Sequence, residues 1–117
     1  MLTASQVLAG IVAALHLYFL VLEMFLWATP YGMKTFKRTL AEQEATKILA
    51  GNQGLYNGFL AAGLVWSITS GSLELRMFFL VCVVIAGIYG AATASRTILF
   101  AQAIPGALAL GVTLAAR

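Results

Sequence analysis

Four long stretches of the chain carry no Asp, Glu, Lys or Arg: residues 1–22, 48–73, 77–95 and 97–116. Each is about as long as the ~20 residues a helix needs to cross the hydrocarbon core of a bilayer, or longer. Breakers fall between them. Pro30 and Gly32 in "TPYG" close the first stretch, "TSGS" at 69–72 separates the second from the third, and Arg96 divides the third from the fourth. Thr39 followed three residues later by Glu42 fits a capping box, which starts a helix near Leu40 and leads it into the second stretch. Pro105 predicts a kink within the fourth. The expected fold is an all-α membrane protein: one domain over 1–117 with four transmembrane helices, about 4–28, 46–69, 75–94 and 97–115, in an up-down bundle.

Composition agrees with that class. Hydrophobic residues make up 62% of the chain and charged residues 9%, too few to cover a soluble domain of this length. The first stretch has no Lys or Arg ahead of it and outruns the apolar core of a signal peptide, so it is expected to be a retained span. Lys34, Lys37, Arg38 and Lys47 lie between the first two stretches and Arg96 between the last two, against Arg76 and Arg117 on the opposite side. The positive-inside rule then places the first and third loops in the cytoplasm, with the N-terminus and C-terminus outside a multi-pass protein of the cytoplasmic (inner) membrane. Trp27 and Tyr31 fall at the inner interface of this arrangement and Trp66 near the outer one, where aromatic belts form. Topology accounts for the net charge of +3, so the partner expected is the lipid bilayer, with no nucleic acid.

Cys82 stands alone, which excludes an internal disulfide and a cysteine metal site. Small residues recur at four-residue spacing in Gly54/Gly58, Ala86/Gly90, Gly87/Ala91 and Ala107/Gly111. Such faces suit either close internal packing or a homo-oligomer.

The polar residues inside the apolar stretches carry the candidate chemistry. "HLYFLVLE" sets His16 and Glu23 seven residues apart, two helical turns on nearly the same face. "GNQGLYNGF" adds Asn52, Gln53, Tyr56 and Asn57 within an arc of about 140°. Tyr89 and Gln102 lie in the third and fourth stretches, and Arg96 at the cytoplasmic mouth. Polar side chains in hydrocarbon need partners, and ionisable ones there mark functional sites by default. These faces are therefore expected to meet in a polar pocket in the cytoplasmic half. The catalytic candidates are His16, Glu23 and Tyr56; the ligand-binding candidates are Asn52, Gln53, Asn57, Tyr89, Gln102 and Arg96. The alternative reading of the same residues is a hydrogen-bond network that only fixes helix register.

"HLYFLVLEMFLW" and "GNQGLYNGFLAAGL" resemble a family of small bacterial four-helix membrane proteins, domain-of-unknown-function family 1304. The resemblance covers nearly the whole chain and implies the four-span fold, with no assigned reaction. The chain is also similar in architecture to the membrane-associated enzymes of eicosanoid and glutathione metabolism. Their Asn-x-x-Glu-like element is absent here, because the third position after Asn52 is Leu55.

Three function classes follow. A membrane enzyme would use His16 as general acid/base or as an axial ligand to haem or a metal, Glu23 as base, and Tyr56 with the amides as oxyanion donors. A small proton-coupled transporter or efflux subunit would titrate Glu23. A non-catalytic accessory protein would hold a lipid head group. No GxGxxG, HExxH, CxxC or nucleophile elbow selects a reaction or cofactor. The shared expectation is a site that binds or transforms a small amphipathic ligand.

Overall fold

In a computed structural model describing residues 1–117, every regular element is helical. The elements are α1 (Leu2–Met24), α2 (Pro30–Phe36), α3 (Leu40–Thr69), α4 (Leu73–Thr93), a π-helical turn (Leu99–Ala103) and α5 (Ile104–Ala116). Three helices are long and apolar enough to cross a membrane: Leu2–Met24, Leu73–Thr93, and the π turn with α5 taken together as Leu99–Ala116. α3 is longer, at 30 residues, but carries the polar stripe that lowers its hydropathy.

The chain forms two compact units, one of residues 1–15 with 60–117 and one of residues 16–59. The first has a core of small and medium side chains: Ala9, Val12 and Ala13 from α1, Ala61 and Leu64 from α3, Leu80 and Val83 from α4, and Ala109 from α5. Alanines and glycines let the helices approach closely. A Cβ on Gly87 would stand 2.6 Å from the backbone nitrogen of Ala103, and one on Gly63 would meet the Phe79 ring at 2.4 Å. Large apolar residues such as Phe78, Ile85, Phe100 and Leu108 point outward. That outward placement of bulk is expected of helices solvated by lipid.

The disturbance expected at Pro105 lies just ahead of it. Proline has no N–H to offer Ala101, and the preceding turn widens so that Ile104 N–H bonds to the Leu99 carbonyl, five residues back.

The second unit reverses the chain between α1 and α3. α1 stops at Met24, short of the expected Ala28, because the N–H groups of Phe25 and Leu26 both turn to the Val21 carbonyl, at 3.0 and 3.1 Å. "TPYG" then starts a helix as well as ending one. Thr29 caps α2, its hydroxyl accepting from Gly32 N–H at 3.3 Å, with Pro30 in the first turn. Gly32 is required at this point, since a Cβ would lie 2.1 Å from the Leu26 carbonyl oxygen. Lys37 closes α2 in the left-handed region at φ 54°. The capping box then forms: Glu42 Oε1 accepts from Thr39 N–H at 3.1 Å, and Thr39 Oγ1 accepts from Glu42 N–H at 3.2 Å. α3 begins at Leu40.

Candidate functional site

α1 and α3 meet in the second unit at a glycine. A Cβ on Gly54 would fall 2.7 Å from Met24 Cγ and 3.1 Å from Glu23 Cβ, and one on Gly58 would fall 2.7 Å from Leu20 Cδ1. The missing side chains bring the two backbones together and level Glu23 with Asn57. Asn57 Nδ2 donates to Glu23 Oε1 at 2.5 Å. Asn57 is buried and Glu23 half-buried. A hydrogen bond to an ionised acceptor is roughly twice as strong as a neutral one. The pairing therefore gives an otherwise costly carboxylate one fixed donor.

His16 is fully buried two turns earlier on α1, with its ring edge-on to Phe19 at a centroid distance of 5.2 Å. The rest of the stripe diverges. Asn52, Gln53 and Tyr56 are exposed, and Tyr56 stacks edge-on with Phe59 of its own helix at 5.7 Å. Tyr89, Arg96 and Gln102 belong to the first unit, where Tyr89 and Arg96 are exposed and Gln102 is half-buried in the π turn. Glu23 and Asn57 are joined by a direct side-chain hydrogen bond.

A second polar cluster ties the chain reversal to α3. Gln43 is fully buried and donates through Nε2 to the Trp27 carbonyl at 2.8 Å, while its Oε1 has no partner. The Trp27 indole N–H donates to Thr46 Oγ1 at 3.0 Å.

A third cluster, inside the first unit, has no local signature in the sequence. Arg76 is fully buried. Its Nη1 donates to Ser5 Oγ at 2.9 Å, its Nη2 to the Ser67 carbonyl at 3.2 Å and its Nε to Ser67 Oγ at 3.4 Å. The Ser5 and Thr113 hydroxyls are 2.6 Å apart. One guanidinium thus gathers α1, α3, α4 and, through Ser5, α5, using only neutral partners. Position beside the "TSGS" turn marked Arg76 as a loop cation. The cluster draws on lone hydroxyls as far apart as Ser5 and Thr113, 108 residues in sequence, a pattern with no periodicity to read. No group of three or more His, Cys, Asp or Glu side chains is positioned to hold a metal ion.

Interiors that hold polar groups beneath outward-facing apolar side chains, on helices of bilayer length, define the class: an all-helical protein with the features of a membrane protein. Within it, the chain belongs to the family described as "Protein of unknown function (DUF1304)", whose model matches residues 10–114. It is 30% identical over 108 residues to the uncharacterized protein YpaA of Lactococcus lactis subsp. lactis (strain IL1403), covering 89% of this chain and 91% of that one. No solved structure matches.

Proposed function

We propose that the chain crosses the cytoplasmic membrane four times and uses the Glu23–Asn57 contact as the centre of a polar site for a small amphipathic or lipid-soluble molecule. The observation that carries this reading is a half-buried carboxylate held by a buried amide, between two helices packed through glycine. Intramembrane ionisable residues are expensive, and function is the usual reason they are kept. α3 is the fourth span. Its 30 residues reach about 45 Å, and the uncharged stretch 48–73 supplies its apolar portion. The exposed cations Lys34, Lys37 and Arg38 favour a cytoplasmic position for α2 and the residues after it.

Native mass spectrometry of the protein released from mild detergent tests the site. An amphipathic mass is expected on the wild type, reduced on Glu23→Gln and on Asn57→Leu. A bare chain in every case, at each detergent concentration, counts against a retained ligand. Cysteine labelling in a Cys82→Ser background tests the topology: T35C should react only when reagent enters the cytoplasm, and S72C from outside.

A further inference from the structure

One row of α3 turns away from the rest of the chain. Ile48, Asn52, Leu55 and Phe59 are all exposed, Ile48 at 90%, and Ala62 and Trp66 continue the row along the same helix. The steps alternate four and three residues, the heptad rhythm with which a helix presents a seam to a parallel partner. The buried residues Gly54, Asn57 and Ala61 lie on the opposite side.

Apolar bulk pointing outward is what lipid requires of a spanning helix, and no Lys, Arg, Asp or Glu interrupts the row. Asn52 breaks that pattern. It lies about 7 Å along the axis beyond Lys47, the last charged residue of α3. Residues 48–69 then reach about 33 Å, close to the ~30 Å of a hydrocarbon core, so the carboxamide falls inside its cytoplasmic edge. Tyr56, one turn further on, flanks the row and is also exposed.

We infer that this row is the seam of a homodimer, α3 of one copy packing parallel and in register against α3 of a second, with the two Asn52 carboxamides paired. The seam needs α3 to cross the membrane, as proposed above, and is independent of the Glu23–Asn57 contact. Chemistry selects a second copy over lipid or an unrelated helix. A carboxamide both donates and accepts, so it is complementary to itself, whereas acyl chains offer it neither partner. Two copies inserted in the same orientation carry Asn52 at the same depth, and a two-fold contact between identical faces matches it with no further feature. A lone asparagine in an apolar seam also fixes register, because any slip sets each amide against apolar side chains.

The test has two parts, both on the full chain. Disulfide cross-linking in membranes of the expressing cell, in a Cys82→Ser background, locates the contact. I48C, L55C and F59C should form dimers, and V65C should not, since Val65 is exposed but about a third of a turn away. Sedimentation equilibrium in density-matched detergent measures the association. Asn52→Leu, an apolar replacement of similar volume, should weaken dimerisation about three- to thirtyfold, the scale of one hydrogen bond between membrane helices. It should leave thermal stability unchanged, and Asn52→Gln, which keeps an amide, should recover part of the association. A monomer at every detergent ratio, with no cross-links in the membrane, overturns the inference. The T35C and S72C labelling judges the span separately, so that failure is not mistaken for a wrong topology. Association unchanged by Asn52→Leu, or cross-links strongest at V65C, overturns it by placing the contact on another face. A fall in thermal stability with association intact assigns Asn52 to the chain's own packing and overturns it too. The cross-linking keeps Asn52 in place, so a misfolded Asn52 variant cannot obscure the answer.

Discussion

Ser5, in the first turn of α1, is within hydrogen-bond reach of both the Arg76 guanidinium, at 2.9 Å, and the Thr113 hydroxyl, at 2.6 Å. It is the joint between a buried cation and α5, and that position orders the consequences of mutation.

Ser5→Ala leaves a guanidinium N–H buried without an acceptor and should destabilise the protein by about 1–3 kcal/mol. Thr113→Val removes a hydroxyl that touches only Ser5 and should cost less, about 0.5–1.5 kcal/mol. In an Arg76→Met background most of the Ser5→Ala penalty should vanish, since no charge is left to satisfy. A double-mutant cycle by reversible unfolding in detergent checks this. Additive effects would mean that the three groups do not act together.

Truncating Asn57 removes the only donor to Glu23. Asn57→Ala leaves the half-buried carboxyl short of its donor and should cost about 1–3 kcal/mol. Adding Glu23→Gln should recover part of that loss, because the orphaned group is then neutral. Thermal unfolding of the two single variants and the double variant provides the comparison.

Glycine positions divide by what surrounds them. Gly87→Ala should destabilise by about 1–3 kcal/mol, since the new methyl meets the Ala103 backbone, which cannot rotate away. A Cβ at Gly111 meets nothing within 4 Å, so Gly111→Ala should be neutral or stabilise by about 0.5–1 kcal/mol. Equal effects at the two sites would contradict the close crossing of α4 with the π turn.

The Thr39 backbone and side-chain hydrogen bonds hold the Glu42 carboxyl below its usual range. A depressed carboxylate stabilises the fold above its unfolded pKa, and the contribution is lost as pH falls through the folded value. Protection of the Thr39 amide against hydrogen exchange should therefore persist at pH 6 and fade below about pH 4.5. Glu42→Gln should weaken the protection and flatten its pH dependence.

These elements were unequally legible in the sequence. The capping box at Thr39 and the disturbance before Pro105 depend on residues a few positions apart, where local rules suffice. The polar stripe of α3 was visible, but its arc of about 140° is wider than the strip a close helix contact can cover. Asn57 is buried against α1, while Asn52, Gln53 and Tyr56 are exposed. α2 is hidden in the sequence because Pro30 and Gly32 break a helix already under way. Both residues also suit the first turn of a new one. Arg76 could not be recognised as buried, since its partners Ser5 and Ser67 carry no charge and share no spacing with it.

The clasp around Arg76 also imposes an order on assembly. Ser5, Ser67 and Arg76 are all synthesised before Thr113, so the Ser5 hydroxyl gains its partner on α5 only once that helix is in place. Until then a charged side chain sits among partly assembled helices, held by its two serines alone. α5 thus acts as the latch of the first unit. Variants that slow its arrival should be met by the cell's membrane quality control as unfinished proteins, even when the completed fold is stable.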